Sequence, residues 1–230
     1  MNMENILIEA RNLNRHFGGL RAVNNVSFTV PRGIIKAVIG PNGAGKTTLF
    51  NLISGKIKPS SGSVSLDNHL ITGLPEYKIA EKGISRTFQT TKLFSTMTVL
   101  ENVMIGRHVK TRSGFLGSIF KFPSTLREEK EIREQSHAIL SSLGLDSLSE
   151  EEAGNLPFGK QRIVEIARAL ATEPLALLLD EPAAGLNIYE TEELGNLILS
   201  IKEKGITVLI VEHDISLIMN ISDQVLVRSR

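Results

Sequence analysis

Two kinds of apolar pattern alternate along the chain and divide it into three stretches. In the first thirty residues Val26, Phe28 and Val30 alternate with polar neighbours, the period of half-buried strands, and Pro31-Arg32-Gly33 turns the chain. Ile34 to Ile39 is a short apolar run of the kind a buried strand requires, and Thr48 to Ile53 reads as a helix stopped near Gly55. Lys58 to Gly62 forms a turn before a short strand from Ser63 to Leu66. Pro75 opens a short helix ending at Gly83, and Ile84 to Phe88 reads as a strand. From Thr98 the period becomes helical. Thr98-x-x-Glu101 and Thr125-x-x-Glu128 are capping boxes, and the second heads a pattern with Ile132, Ile139, Leu140 and Leu143 on one side. Thr111 to Pro123 reads as a loop between them, and a third helix is expected from Gly159 to Ala171. Strand character returns at Leu175 to Leu179. A helix from Tyr189 to Lys204, a strand from Ile206 to Val211, a short helix and a strand from Gln224 to Val227 follow. The pattern predicts an α/β core made of residues 1–89 and 171–230, interrupted by a helical subdomain over residues 90–170.

The chemistry is concentrated where these elements meet. Gly40-Pro41-Asn42-Gly43-Ala44-Gly45-Lys46-Thr47-Thr48 satisfies G-x-x-x-x-G-K-[ST] between a strand and a helix, the context a phosphate-cradling loop needs. Its glycines let backbone N–H groups converge on an anion, and the helix start adds partial positive charge. Lys46 is expected to reach the β- and γ-phosphates, and the Thr47 hydroxyl to ligate Mg²⁺.

Leu175 to Leu179 ends in two carboxylates. Asp180 at the strand's carboxyl end is placed to hold Mg²⁺ beside the phosphates, and Glu181 to polarise an attacking water. His213, after the apolar strand Thr207 to Val211, could bond a γ-phosphate, and Gln89 could contact the metal or the water. A lone histidine or glutamine is more often a bland surface residue, so neither stands out by itself. Leu156-Pro157-Phe158-Gly159-Lys160-Gln161 runs into a helix, and Gly159 at its start exposes N–H groups to an anion.

Composition narrows the class. The chain has 230 residues, enough to bury a sizeable core in one domain that carries a subdomain. Its net charge of +1 gives no footprint for coating nucleic acid. It has no cysteine, which removes disulfides, thiolate metal sites and cysteine nucleophiles. The start lacks signal-peptide character and no apolar run reaches the ~18–20 residues of a membrane span. A soluble, cytoplasmic chain is expected, serving a membrane only by docking to other subunits.

Read in order, these motifs resemble the ATP-binding subunits of ABC transporters over nearly the whole chain. The resemblance makes Gly40 to Thr48 the Walker A motif, Leu177 to Glu181 the Walker B motif, Gln89 the Q-loop and His213 the switch histidine. Phe17, in Arg15-His16-Phe17-Gly18-Gly19, matches the aromatic that stacks on adenine, and Leu156 to Gln161 lies where the signature sequence belongs. It implies a P-loop NTPase core, a RecA-like sheet with an antiparallel β subdomain, plus an inserted helical subdomain. Phe17-Gly18-Gly19-Leu20-Arg21-Ala22-Val23, Arg86-Thr87-Phe88-Gln89 and Glu181-Pro182-Ala183-Ala184-Gly185-Leu186-Asn187 look like the branched-chain amino-acid importer ATPases.

The family then implies ATP and Mg²⁺ as cofactors, with Thr47, Gln89 and Asp180 toward the metal and Glu181 and His213 in catalysis. It also implies a second ATPase subunit, identical or related, paired head to tail so that each ATP lies between one P-loop and the other signature segment. Transmembrane permease subunits would be gripped by the helical block at the cytoplasmic membrane face, a solute-binding protein would act indirectly, and no nucleic acid would be involved. Other cargoes remain open at this point: urea or amides, or exported lipopolysaccharide. So, more remotely, does an ABC ATPase working on nucleic acid. Three departures stand out: Pro157 replaces the signature serine, with Phe158 and Lys160 also unusual; Asn187 stands where many members have aspartate; and the chain stops at Arg230, short of a further strand and tail.

Overall fold

The computed structural model describes residues 5–87, 93–107 and 123–228, with only the backbone of 123–126. Two compact units result: Met1–Gln89 with Leu175–Arg230, and Thr90–Pro174.

In the first unit the alternating segments become the antiparallel strands β1 (Ile6–Phe17) and β2 (Leu20–Pro31). The strands β4 (Ser61–Leu66) and β5 (His69–Leu70) extend them into a four-stranded sheet of order β2-β1-β4-β5. The remaining strand segments become β3 (Ile35–Ile39), β6 (Ile84–Arg86), β7 (Ala176–Asp180), β8 (Thr207–Val211) and β9 (Gln224–Val227). These form a parallel sheet of order β6-β7-β8-β3-β9. Every residue of β7 and β8 is buried, because a parallel sheet is covered on both faces. That is why these strands are apolar apart from Asp180 and Thr207 at their ends.

Helix α1 (Lys46–Ile53) sends Leu49, Phe50 and Ile53 into a core shared with Ile8, Leu13, Phe28 and Val64 of one sheet and Val38, Leu178 and Leu209 of the other. At roughly 1.5–3 kcal/mol for each fully buried large apolar side chain, this cluster fixes the loop before α1 against both sheets. The short helix α2 (Glu76–Glu81) precedes β6. Four strand ends matter for chemistry. The loops after β3, β6, β7 and β8 all leave at the carboxyl edge of the same parallel sheet, where open α/β sheets bind ligands.

The second unit holds α3 (Val99–Arg107), α4 (Pro123–Ser142) and α5 (Phe158–Leu170), with α3 packed on both others. Gly106 is what allows the closest approach: a Cβ there would lie 2.2 Å from the Arg168 carbonyl oxygen on α5. The Thr98 box forms as expected, with Glu101 N–H donating to Thr98 Oγ1 at 3.1 Å and Thr98 N–H to Glu101 Oε2 at 2.8 Å. The Thr125 box does not head its helix. The helix α4 already starts at Pro123, whose fixed φ and missing N–H suit a first turn, so Thr125 is inside it. Residues 171–174 complete the turn after α5 through Ala171 N–H to Ala167 and Glu173 N–H to Leu170, and the unit ends at Pro174. Beyond β7 the first unit adds α6 (Ile188–Glu203) and α7 (Ile215–Ile221).

Candidate functional site

The loop from Gly40 to Gly45 is held by its own lysine. Lys46 Nζ, on a nearly buried side chain, donates to the Gly40 carbonyl at 2.7 Å and the Pro41 carbonyl at 3.1 Å. Ala44 N–H closes the turn onto Pro41 at 3.2 Å. Gly45 is the N-cap of α1 at φ 77°, and a Cβ there would stand 2.1 Å from the Ala22 carbonyl oxygen. Only glycine satisfies both conditions. Gly45 has no side chain to cap α1, so among the described residues its first N–H groups are met by neither an intrahelical nor a side-chain acceptor. They are free to receive an anion, with the helix dipole behind them.

These residues line a cleft of about 400 Å³. Asn42 to Thr48 form one wall, Phe17, Leu20, Arg21 and Ala22 form another, and Glu181 and His213 complete it. Phe17 is about half exposed, and the Arg15 guanidinium stacks on its ring at 4.6 Å from the centroid. The cleft thus joins a flat aromatic face to an anion cradle and to an acid–imidazole pair.

That pair is direct: His213 Nε2 lies 3.1 Å from Glu181 Oε1. Glu181 sits at φ 50°, a left-handed conformation uncommon for a non-glycine residue and often kept where function demands it. Two contacts hold it there, Glu181 N–H to the Val211 carbonyl at 2.8 Å and Ala184 N–H to the Glu181 carbonyl at 3.2 Å. Glu212 braces both loops from within. It is buried, and its carboxylate accepts Ala183 N–H at 2.7 Å and His213 N–H at 2.8 Å.

Asp180, one residue earlier, is in different surroundings. It is 1% exposed and its Oδ2 pairs with Arg86 Nη2 at 2.8 Å. Arg86 Nη1 in turn donates to Asn51 Oδ1 at 2.7 Å and Ser54 Oγ at 3.1 Å. The other oxygen, Asp180 Oδ1, is buried with no hydrogen-bond partner among the described residues. A buried carboxylate oxygen left unmet is costly unless something binds it.

Residues 23–184 match the ABC transporter family. The chain belongs to that family. The high-affinity branched-chain amino acid transport ATP-binding protein BraF of Pseudomonas aeruginosa is 44% identical over 98% of this chain and 89% of its own length. A cassette of an ABC transporter solved in its ADP conformation superposes with a TM-score of 0.85, at 37% identity over 97% of this chain and 87% of that one. A dimeric cassette in a post-hydrolysis state, bound to ADP and Pi, gives 0.79 at 27% identity, over 97% and 94% of the two chains. This chain is therefore an ATP-binding cassette, and its two sheets and helical insertion are the P-loop architecture expected from the sequence.

Within this ABC cassette the structure gathers Phe17, Asn42, Gly43, Ala44, Gly45, Lys46, Thr47, Thr48, Glu181 and His213 around one cleft. Gly40 and Pro41 serve it through their carbonyls, and Asp180 lies at the end of β7 in its ion pair. Gln89 lies outside the described residues. Gly159 belongs to the helical unit, as the second residue of α5. There Pro157 is the N-cap and offers no side-chain cap, while Gln161 Nε2 reaches back to the Leu156 carbonyl at 2.9 Å. Sequence reasoning missed Arg86, Glu212 and Arg15. The only signal for the first two was a charged residue at the end of an apolar strand, which usually means solvent.

Proposed function

We propose that this chain is the ATP-hydrolysing subunit of an importer of branched-chain amino acids. The observation that carries the enzymatic part is the Glu181–His213 contact on the wall of the cleft that also holds the phosphate loop. The cargo rests on the relative in Pseudomonas aeruginosa, whose name gives branched-chain amino acids.

In this reading adenine stacks on Phe17 and the triphosphate lies along Asn42 to Thr48, with Lys46 turning from the loop carbonyls toward the β- and γ-oxygens. Glu181 accepts a proton from the attacking water, a role for which an acceptor near the γ-position is required. His213 orients Glu181 and donates to the transferred phosphoryl group. Asp180 and Thr47 offer an oxygen donor set that suits Mg²⁺, since Asp180 Oδ1 is buried with acceptor capacity left over. Among the described residues no cluster of three His, Asp or Glu side chains stands ready as a complete metal cage. A site finished by the nucleotide's own phosphates fits that, and Gln89 is the further ligand proposed. The ion, when bound, neutralises charge on the phosphates.

The chain works as one of two cassettes, a pairing the dimeric neighbour supports, and in the proposed pair Gly159 and the start of α5 face the partner's nucleotide. Among the described residues no helix is long and apolar enough to cross a membrane. Permease subunits at the inner face supply that part, with a solute-binding protein presenting cargo to them. Residues 90–170 are the proposed helical coupling block.

Glu181→Gln tests the reading. It should bind ATP with near wild-type affinity, accumulate as an ATP-dependent dimer in gel filtration, and lose turnover by roughly 10²–10⁴-fold. Wild-type turnover would remove Glu181 from the chemistry. Purifying the chain with its membrane subunits, reconstituting them, and comparing leucine with urea as transport substrate then decides the cargo.

A further inference from the structure

Arg86 is a buried cation that bonds both the segment following the phosphate loop and the strand end at Asp180, and neither sequence pattern nor cleft geometry gives it a role. Its side chain is 7% exposed at the end of β6. One guanidinium nitrogen bonds two residues at the end of α1, Asn51 Oδ1 in its last turn at 2.7 Å and Ser54 Oγ, the C-cap residue, at 3.1 Å. The other bonds Asp180 Oδ2 at 2.8 Å. The guanidinium also lies over the Phe50 ring of α1, 5.7 Å from its centroid. The helix that starts at the phosphate loop and the strand that ends in Asp180 are therefore joined through one planar, permanently charged group.

From this geometry we infer that Arg86 is a positioning residue for the metal: it occupies one oxygen of Asp180 and so presents the other, Oδ1, to Mg²⁺. The inference rests on the reading of Asp180 given above. Three observations carry it. Oδ2 is engaged by a charge-assisted bond, which orients the carboxylate. Oδ1 is buried and unpartnered among the described residues, so this oxygen of the carboxylate is left to offer. The guanidinium is itself held at α1, so the carboxylate is oriented relative to the helix that carries Thr47, the other proposed ligand.

The experiment measures binding of a fluorescent ATP analogue to the full chain, in EDTA and across a MgCl₂ titration, with Mn²⁺ binding to the nucleotide complex followed by electron paramagnetic resonance. Asp180→Asn, Arg86→Met and the double variant Asn51→Ala/Ser54→Ala are compared with wild type, each checked by thermal melting. Asp180→Asn should leave binding in EDTA unchanged and weaken the metal-dependent gain. If it does not, the reading of Asp180 fails. Given that result, Arg86→Met should also keep the EDTA affinity and weaken Mn²⁺ binding by roughly ten- to a hundredfold, as loss of a ligand's outer partner does. Unchanged or tighter Mn²⁺ binding overturns the role of Arg86 while leaving Asp180 in place. Because removing the cation from a buried pair can prevent folding, the double variant keeps the ion pair and removes only its anchor on α1. It should weaken Mn²⁺ binding by a smaller factor, and wild-type metal binding there overturns the inference as well.

Discussion

The helices α1 and α5 begin without a side chain at the N-cap to accept from them, whereas α3, α6 and α7 begin with one that does. At α1 the N-cap is Gly45 and at α5 it is Pro157, and neither offers a side-chain acceptor. At α6 Asn187 accepts Glu190 N–H at 3.0 Å while Glu190 Oε2 accepts Asn187 N–H at 2.9 Å, a closed capping box. Asp214 does the same work at α7 by accepting Leu217 N–H, and Thr98 at α3. The short helix α2 also lacks a side-chain cap, but its first turn is exposed and water can serve it. The difference separates two uses of one piece of physics. A side-chain cap is worth about 1 kcal/mol to a helix, and leaving it out is a cost that makes sense where an anion will take its place. In the proposed function that anion is the chain's own nucleotide at α1 and the partner's at α5.

The hardest blow to this contrast is at Lys46. Its ammonium is the charge that accompanies the bare N–H groups of α1, and it also ties the Gly40 and Pro41 carbonyls together. Lys46→Ala should therefore lower ATP turnover by about 10²-fold or more, on the scale of losing one preorganised donor to a developing charge. A coupled assay of phosphate release measures it. Turnover within twofold of wild type would detach Lys46 from the phosphates.

Asn187 sharpens the contrast from the other side. The family resemblance marks it as a departure from the usual aspartate, but its side chain is fully explained by the local box at α6. Asn187→Ala should cost about 1 kcal/mol of stability, and urea unfolding would read it as a lower midpoint at constant slope. Asn187→Asp should restore the cap with little change in stability. If the alanine variant loses turnover far beyond its loss of stability, Asn187 also serves the nucleotide, and the division between capped and bare helix starts is incomplete.

The bare helix starts and buried strands were legible because they rest on local rules. Gly45-Lys46 fits one loop geometry, and β7 up to Leu179 and β8 from Val208 are apolar because both faces are covered. The side chains that hold the site together were not legible. Arg86 draws its partners from 35 and 94 residues away, and Glu212 from a loop 29 residues away, so no window of sequence contains either arrangement. A charged residue at a strand end has the same local appearance whether water or a buried carboxylate awaits it. The start of α4 at Pro123 was misread for a simpler reason: a Thr-x-x-Glu pair is also allowed inside a helix, and only the backbone distinguishes the two.

The smallest expected effect lies at the other end of β3, where a carboxylate does for a strand what Asn187 does for a helix. Asp223 Oδ2 accepts Ile35 N–H at 2.8 Å, and Oδ1 pairs with Lys202 of α6. Burial pushes the Asp223 carboxyl up, but the Lys202 ammonium and the Ile35 N–H outweigh it and hold its pKa below the ordinary value of 3.8. A depressed folded-state pKa means that the unfolded chain binds this proton more readily. The contribution is therefore complete above the ordinary carboxylate pKa and is lost as pH falls from there through the lower folded value. The partly exposed pair is screened by solvent and salt, so the effect is small. Wild type should be more stable than Asp223→Asn at pH 7, and the gap should shrink as pH falls below about 4. Unfolding by urea at a series of pH values measures it. A gap that persists unchanged well below that range would mean that Asp223 acts through its shape and its hydrogen bond to Ile35, with its charge contributing nothing.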